Sequence, residues 1–351
     1  MQVGIIGLKS TGKTTLFNAI TGAAVPTGQG GIEVHRSIGK VPDPRLDWLT
    51  QLHAPTRQVN AQVEWVDVPG FVPGEGPDGR REATRFLEEA RKVGALAQVV
   101  RCFDRGFGAP DPANEIETVA LELIVADLQI VENRLEKLAK DKQKLGKVAN
   151  PLEPGLMERL RDQLEAGGPL RAVDLNGDER KLVSGFSFLT LKPMIFVLNL
   201  AEGESATEKI LGAAAATGGE VVSLCAKVEE ELAELPMADA AEFLADLDIA
   251  EPALNQMIRA AFDALSLITF FTIGNDECRA WTVRRDAPAP EAAGAIHSDL
   301  QRGFIRAVVV AYDELRAAGD MAAAKQANRV REEGKNYQIK DGDVMEIRFS
   351  V

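Results

Sequence analysis

Short apolar runs separated by helical or polar segments dominate the first part of the chain and return in its middle. Residues 1–7 (MQVGIIG) form the first run, and a helical pattern begins at Gly12. Similar runs are Val63–Val68, Leu96–Phe103, Met194–Leu198 and Glu220–Leu224. Buried strands that alternate with helices are typical of an α/β fold with a mostly parallel sheet covered on both faces.

A helical period replaces this pattern between about residues 115 and 185. Apolar residues recur every three or four positions on a charged background, which predicts a long amphipathic helix with coiled-coil-like spacing. These residues are Ile124, Leu128, Val131, Leu135 and Leu138. Asn150-Pro151 interrupts the stripe, and Leu152, Leu156, Leu160 and Leu164 resume it. We therefore predict two antiparallel helices that form an arm.

The strand pattern returns at Met194, so the helical arm is predicted to be inserted into the sheet domain. From about residue 267 the runs ITFFTIG, RAWTVRR and DVMEIRFSV indicate strands of a small mixed domain, with Asp341-Gly342-Asp343 as a turn. The predicted division is residues 1–114 and 186–266 for the two parts of the sheet domain, 115–185 for the arm, and 267–351 for the C-terminal domain.

Composition limits the class of protein and the cellular location that can be expected. Its 351 residues are 45% hydrophobic and 26% charged, which is ordinary for a globular protein, and no run is long and apolar enough for a membrane helix. The N-terminal residues do not read as a signal peptide, and the three cysteines show no C-x-x-C spacing. We expect a cytoplasmic monomer. The net charge of −13 opposes non-specific binding to nucleic acid, so an RNA contact would need a local basic patch.

The residues that follow the first run carry the strongest chemical signal. Residues 7–14 read GLKSTGKT, which satisfies G-x-x-x-x-G-K-[ST] between a strand and a helix. In such a loop, backbone N–H groups approach phosphate oxygens, Lys13 reaches the β- and γ-phosphates, and the Thr14 hydroxyl ligates Mg²⁺. The expected nucleotide contacts here are Gly7, Lys9, Ser10, Thr11, Gly12, Lys13, Thr14 and Thr15.

Two later strand ends complete the predicted site. Asp67 and Gly70 form a D-x-x-G motif, in which the carboxylate holds Mg²⁺ through water and the glycine amide senses the γ-phosphate. Asn199 and Glu202 stand where GTPases place N-K-x-D to read guanine. Here the longer Glu replaces Asp and Leu200 replaces Lys, so adenine or a relaxed choice of base is expected. An ordinary strand-to-loop exit is the alternative interpretation of residues 199–202. Ser223, Cys225 and Ala226 end the next strand and are predicted to contact the base by backbone amides, with no base contact as the alternative.

With these motifs in this order, the chain resembles the Obg-like ATPase (YchF) family of P-loop NTPases. The segments VPDPRLDWL, QVVRCF, FSFLTLKP, CRAWTVR and DGDVMEIRFSV, with the Asn199/Glu202 pair, are similar to family signatures. The resemblance implies a P-loop NTPase domain, an inserted coiled-coil arm and a C-terminal TGS domain of ubiquitin-like β-grasp fold. It also implies an ATP-hydrolysing switch that associates with the ribosome, as 50S subunit or 70S particle, and modulates translation or stress responses.

The chain departs from the family pattern at residues of the hydrolytic apparatus. Ser10 replaces an Asn expected to help hold a monovalent cation, and Gly31 stands where a switch threonine is expected, with Thr27 the nearest candidate. The loop after residue 103 lacks the histidine that family members carry. Phe71 follows Gly70 where a water-orienting Gln stands in Ras-like enzymes, but the family also has an apolar residue there, so the water must be held by another group. We therefore expect a divergent member with slow Mg²⁺-dependent turnover of ATP, and no residue can be named as the water-positioning group.

Lysines near the predicted tip of the arm form the one local basic patch that stands out. With Arg134 they give a local excess of positive charge, and their functional interpretation is contact with ribosomal RNA phosphates. They are Lys137, Lys140, Lys142, Lys144 and Lys147. A solvated helix face is the alternative. For the whole protein, the alternatives to a slow ATPase are a nucleotide-gated ribosome-binding module with negligible turnover and a GTPase of the Obg type.

Overall fold

A computed structural model describes residues 2–28, 33–72, 74, 77–104, 106, 108–145, 147–215, 217–246 and 251–350. The strands are β1 (Gln2–Ile6), β2 (His35–Lys40), β3 (Arg57–Val59), β4 (Gln62–Asp67), β5 (Ala95–Arg101), β6 (Met194–Asn199), β7 (Glu220–Leu224), β8 (Leu267–Ile273), β9 (Glu277–Arg284), β10 (Phe304–Ala311), β11 (Arg331–Glu333) and β12 (Asp343–Phe349).

Helices flank or connect these strands. They are α1 (Lys13–Thr21), α2 (Pro44–His53), α3 (Pro77–Lys92), α4 (Pro112–Leu145), α5 (Glu153–Glu165), α6 (Gly177–Val183), α7 (Glu208–Ala215), α8 (Ala226–Glu234), α9 (Met237–Asp246), α10 (Ala253–Ala264), α11 (Ala289–Ile296), α12 (Ser298–Arg302), α13 (Tyr312–Ala318) and α14 (Met321–Gln326). Among the described residues, no helix combines the length and the apolar character needed to cross a membrane.

The contacts divide the chain into two compact units. The first comprises Met1–Ser37 and Glu64–Ala261, and the second comprises Ile38–Val63 and Phe262–Val351. Residues 38–63, which the sequence analysis assigned to the sheet domain, thus group with the C-terminal residues. The predicted arm residues group with the first unit. The four boundaries drawn from the sequence remain a prediction.

The first sheet has the strand order β2-β4-β1-β5-β6-β7. Strands β4, β1, β5, β6 and β7 pair in parallel, as the buried apolar runs predict. The register places Ile5 beside Asp67, Arg101 beside Asn199, and Asn199 beside Leu224. The carboxyl ends of these strands therefore meet at one edge, which is where ligands bind in open α/β sheets.

Helices α4 and α5 pack together through an apolar cluster that contains Val131, Leu138, Leu156 and Leu160. This packing follows from the two leucine-rich stripes, each of which buries one face of its helix. The Arg134 guanidinium donates to both carboxylate oxygens of Glu153 across the pair, at 2.7 and 2.8 Å.

A buried carboxylate fixes α4 to the segment that leads into β6. Asp127 is fully buried and accepts hydrogen bonds from the backbone N–H groups of Leu189 (3.0 Å) and Thr190 (2.7 Å). It also accepts from the Thr190 hydroxyl at 2.8 Å and from Arg91 Nη1 at 3.2 Å. A buried carboxylate is tolerated when all its acceptor positions are used in this way.

The C-terminal end of α3 is capped by a lysine from the same segment. The Lys192 ammonium donates to the carbonyl oxygens of Ala90 (2.9 Å), Arg91 (2.7 Å) and Val93. These are carbonyls that the helix itself leaves without partners, and a cation is favoured at this end of the helix dipole. Burial lowers the pKa of Lys192 to about 8.

The second unit contains a mixed sheet with the order β11-β10-β12-β8-β9-β3. Its central pair, β12 and β8, is parallel, while β8 pairs with β9 and β12 with β10 in antiparallel fashion. Helix α11 packs with β9 and β10 over a core that includes Phe270 and Ala293. Strand β3 extends the sheet by pairing in parallel with β9.

Within the second unit, Arg45 joins the start of α2 to the turn that precedes β12. The Arg45 guanidinium donates to Asp43 (Nε–Oδ1, 2.9 Å) and to Asp341 (Nη1–Oδ2, 2.6 Å), and it lies over the Phe271 ring. Asp341 in turn accepts from the Thr269 N–H at 2.9 Å. The Asp341-Gly342-Asp343 turn that the sequence predicted is therefore bonded to Arg45, at the start of α2.

Replacing Asp127 with alanine tests the buried network. We expect Asp127→Ala to lower the free energy of unfolding of the first unit by about 3 to 5 kcal/mol, because buried donors lose their acceptor. The control Asp162→Ala removes an exposed carboxylate from α5, and we expect it to change stability by less than about 0.5 kcal/mol. Equal losses of melting temperature in the two variants would contradict the role assigned to Asp127.

Candidate functional site

The loop between β1 and α1 adopts a conformation that its glycines permit. Gly7 and Gly12 have φ angles of 143° and 97°, in the region that L side chains rarely adopt. A Cβ on Gly12 would lie 2.2 Å from Asn199 Nδ2, so this position also lacks the space for a side chain. Ser10 takes a positive φ of 63° without being glycine. An Asn at this position would tolerate the conformation better.

This loop forms one wall of an open cleft of about 250 Å³. Of the residues predicted to contact nucleotide or metal, the cleft is lined by Lys9, Ser10, Gly12, Lys13, Thr14, Thr15, Asp67 and Gly70. Thr11 lies behind the lining, fully buried, with its hydroxyl 3.2 Å from the Leu8 carbonyl oxygen. The loop, the start of α1 and the end of β4 therefore meet as the sequence predicts.

Lys13 places an ammonium group at the base of the cleft. Its side chain is 7% exposed and donates to the Leu8 carbonyl oxygen at 2.6 Å. Burial lowers the pKa of Lys13 to about 8, although the carboxylates of Asp67 and Glu115 favour the protonated form. A cation that has lost its hydration is stabilised by an anion, and the first turn of α1 adds positive potential here. The position suits a phosphate chain.

Thr14 and Asp67 bring a hydroxyl and a carboxylate together beside Lys13. Thr14 Oγ1 donates to Asp67 Oδ2 at 2.8 Å. Burial raises the pKa of the Asp67 carboxyl, and the Thr14 hydrogen bond opposes this effect. Oxygen donors of these two kinds are the ligands that Mg²⁺ accepts next to phosphate, with water completing its shell. The residues present therefore fit a magnesium ion that arrives with a phosphate ligand.

Asn199 joins the loop to the neighbouring strand end. Its Nδ2 donates to the Thr11 carbonyl oxygen at 2.8 Å, and its Oδ1 accepts from the Ala226 N–H at 2.9 Å. The side chain is buried, so both halves of the carboxamide are used within the protein. Asn199 thus connects the phosphate loop with the start of α8.

The other predicted base contacts lie around the same edge. Ser223 is the penultimate residue of strand β7, Cys225 precedes α8 as its N-cap residue, and Ala226 begins that helix. Glu202 lies in an exposed turn after β6 and has no hydrogen bond or ion pair within the part of the chain that the structure describes. The carboxylate predicted to read the base is therefore free to meet a ligand.

The cleft also contains residues that the sequence analysis did not assign to it. Glu33, His35 and the segment from Val25 to Gly28 line it, with Thr27 among them. His35 is at the start of β2, whose neighbour in the sheet is β4, and its proximity opposes the rise in the pKa of Asp67. The sequence HRSIGK gave no apolar run by which β2 would have been recognised.

A buried carboxylate near Lys13 was also missed. Glu115, in the first turn of α4, accepts from the Arg101 N–H at 3.0 Å and from Arg101 Nε at 3.3 Å. Burial raises the pKa of Glu115, and Arg101 opposes the rise. The neighbouring Cys102 thiol is also buried. This burial, together with the negative charge of Glu115, raises the pKa of Cys102 to about 12.

The structure describes some of the positions that the sequence analysis connected with hydrolysis. Phe71 is buried and packs on Phe86 of α3, with ring centroids 4.8 Å apart, so it serves as a core residue. Gly31 lies outside the described residues, as do two positions of the loop at 104–112. The described residues of that loop include no histidine.

The arm lysines lie where the sequence analysis expected a basic patch. Lys137, Lys140, Lys142 and Lys144 are exposed on the last turns of α4, and Lys147 follows the helix. Lys140 pairs with Glu136 at 3.3 Å. The other four have no ion pair within the described ranges, which leaves their charge available to a partner.

Comparison with known proteins matches both ends of the chain. A family model described as a 50S ribosome-binding GTPase matches residues 2–145. The YchF-GTPase C-terminal model, described as a protein of unknown function, matches residues 267–350. These two matches cover the P-loop region and the C-terminal sheet.

Full-length relatives agree with these matches. The ribosome-binding ATPase YchF of Bacillus subtilis is 41% identical over 100% of both chains, and that of Pasteurella multocida is 40% identical over 100% of this chain and 99% of its own. Obg-like ATPase 1 of Oryza sativa subsp. japonica is 33% identical, with 92% of its length covered.

A solved structure shows the same fold. The Schizosaccharomyces pombe YchF GTPase superposes with a TM-score of 0.86 at 29% identity, covering 99% of this chain and 97% of that one. The curated relatives are named ATPases and the Schizosaccharomyces pombe protein is named a GTPase, so the names of the relatives differ in the nucleotide base.

Gly12 offers a test of the loop geometry. We expect Gly12→Ala to destabilise the protein and to weaken triphosphate binding by more than about tenfold, because its Cβ would displace Asn199 and deform the loop. The control Gly22→Ala also carries a positive φ, of 65°, but has no heavy atom within 4 Å of the added Cβ. It should cost about 1 kcal/mol of stability and leave binding unchanged. Calorimetry and thermal melting measure both; similar binding losses would refute the Asn199 contact.

Proposed function

The chain belongs to the YchF family of P-loop ATPases, and we propose that it binds ATP with Mg²⁺ in the β1–α1 cleft and hydrolyses it slowly to ADP and phosphate. We propose further that it acts as a ribosome-associated regulatory switch in translation or stress response. The observation that carries the proposal is the buried Lys13 ammonium beside the Thr14–Asp67 pair.

The assignment of roles follows from the chemistry of each group. Lys13 would contact the β- and γ-phosphates, and the Gly70 backbone would approach the terminal phosphate, since Gly70 is close enough to Lys13 that a Cβ would lie 2.6 Å from its Nζ. Thr14 and Asp67 would hold Mg²⁺, which would neutralise charge on the phosphates. Asn199 would hold the phosphate loop in a fixed position relative to the start of α8, where the base is proposed to bind.

Slow turnover is proposed because, among the residues that the structure describes, none is identified as orienting the attacking water. Phe71, at the position after Gly70, is apolar and buried against Phe86. Phosphoryl transfer depends on positioning and charge stabilisation, so a site that keeps the phosphate contacts and lacks a water-orienting group should bind better than it turns over.

Preference for ATP is proposed from the residues after β6. Leu200 is buried and its N–H donates to the Leu224 carbonyl oxygen at 2.8 Å, so its side chain lies in the core and not along a base. Glu202 replaces the shorter Asp that pairs with guanine. The curated relatives named ATPases support this choice, and the relative named a GTPase makes GTP the alternative.

The C-terminal unit is proposed to be the TGS domain of the family. The order β10-β12-β8-β9, with a parallel central pair and α11 packed over β9 and β10, supports this assignment. Helices α4 and α5 are likewise proposed as the coiled-coil arm. Ribosomal RNA is the proposed partner of its exposed lysines, because relatives are named ribosome-binding and the protein is acidic elsewhere.

Nucleotide binding and turnover are measured on the purified chain. We expect ATP with Mg²⁺ to bind in preference to GTP in competition calorimetry, and single-turnover hydrolysis of radiolabelled ATP to be slow. Lys13→Met should abolish binding, whereas Lys181→Met, which removes an exposed lysine, should not. Failure of the parent to bind any triphosphate would overturn the proposal. Fast hydrolysis would refute slow turnover, and hydrolysis at background would favour a nucleotide-gated binding module.

Ribosome binding is tested by charge reversal on the arm. We expect Lys137→Glu, Lys142→Glu and Lys144→Glu together to weaken co-sedimentation with ribosomes, and to lower the slope of log affinity against log salt by about 2 to 3. The control triple Lys181→Glu, Lys209→Glu and Lys227→Glu makes the same change in net charge at other exposed sites. Equal effects of the two triples would show a general charge effect and exclude a specific arm contact.

A further inference from the structure

A second lysine of the phosphate loop is paired with helix α3. Lys9 Nζ lies 2.5 Å from Glu82 Oε1, and the two side chains are 38% and 25% exposed. Within the described ranges, this is the sole ion pair between residues 7–12 and α3. The phosphate loop is thus connected to the helix that follows the D-x-x-G motif.

The same lysine faces the proposed phosphate position. Lys9 lines the cleft together with Lys13, Thr14 and Asp67, and its charge disfavours the protonated form of Lys13, so the two ammonium groups are close enough to repel each other. The Leu8 carbonyl, adjacent to Lys9 in the chain, is 2.6 Å from Lys13 Nζ. A lysine ammonium on its flexible four-carbon stem can exchange one oxygen partner for another nearby.

The surroundings of the pair are held by less adaptable contacts. The Lys9 N–H donates to the Phe71 carbonyl oxygen at 3.3 Å, and Phe71 packs on Phe86 of α3. Lys192 caps the far end of α3. The Lys9–Glu82 contact is therefore the exposed and exchangeable connection in an otherwise packed assembly.

The charges favour such an exchange. A partly exposed ion pair contributes little to stability, whereas a terminal phosphate offers several acceptor oxygens and more negative charge than one carboxylate. Glu82 also has a replacement partner, because Arg85 lies three residues along α3 and has no ion pair within the described residues.

We propose that Lys9 leaves Glu82 for the terminal phosphate of a bound triphosphate, so that the Lys9–Glu82 pair is a latch between the phosphate loop and α3. A triphosphate opens this latch, and a diphosphate leaves it closed. The inference rests on the proposed function, since it requires nucleotide in this cleft. It assigns to Lys9 the discrimination between the two nucleotide states.

The test compares two ligands across a double-mutant cycle. Calorimetry with Mg²⁺ measures a non-hydrolysable ATP analogue and ADP against the parent, Lys9→Met, Glu82→Gln and the double variant. We expect Lys9→Met to weaken the analogue by about tenfold and ADP by less than about twofold. Glu82→Gln should strengthen the analogue by about threefold, since it frees Lys9, and should have no effect when Lys9 is already replaced.

The matched control is Lys92→Met, which breaks a lysine–glutamate pair at the other end of α3 and should leave both affinities unchanged. Melting temperatures establish that each variant folds. Equal effects of Lys9→Met on the two ligands, no effect on either, or an undiminished effect of Glu82→Gln in the double variant would overturn the latch and leave the proposed function intact. A parent that binds neither ligand would overturn both.

Discussion

A lysine ammonium held out of water is the constraint around which the edge of the first sheet is organised. Lys13 donates to one backbone carbonyl, which satisfies a donor but neutralises no charge. Of the neighbouring carboxylates, Asp67 is engaged by Thr14 and Glu115 by Arg101. The positive end of α1 adds to the same potential. An arrangement of this kind is costly for the fold alone, and it becomes favourable when an anion enters.

The geometry of the loop follows from keeping that ammonium in place. Gly12 must have no side chain, because the Asn199 carboxamide occupies the space. Asn199 also fixes the loop by donating a hydrogen bond to the Thr11 carbonyl oxygen. Asn199 was interpreted from the sequence as a contact to the base. The structure gives both of its polar groups partners within the protein, so its effect on a base would pass through the backbone that it holds.

The sequence was sufficient where a single segment determined the outcome. The runs that became β1, β5 and β6 are buried on both faces, and the P-loop motif has a fixed spacing, so fold class and phosphate site could be predicted. Strand β2 could not be recognised, because HRSIGK has a single large apolar residue, Ile38, and forms an edge strand of the sheet. His35, Glu115 and the Lys9–Glu82 pair depend on contacts between distant segments, which periodicity does not report.

The pairing of β3 with β9 limits the order in which the parts of the protein can fold. Residues Arg57–Val59 pair with Glu277–Arg279, which emerge from the ribosome only after more than half of the chain has followed. Vectorial synthesis favours folding of the N-terminal part first, but α2 and β3 have no sheet to join until β8 and β9 exist. The segment that contains α2 and β3 must therefore remain unpaired while the first sheet assembles. In a prematurely terminated product, Leu46 and Leu49, which are fully buried in the complete fold, would be accessible to chaperones and proteases.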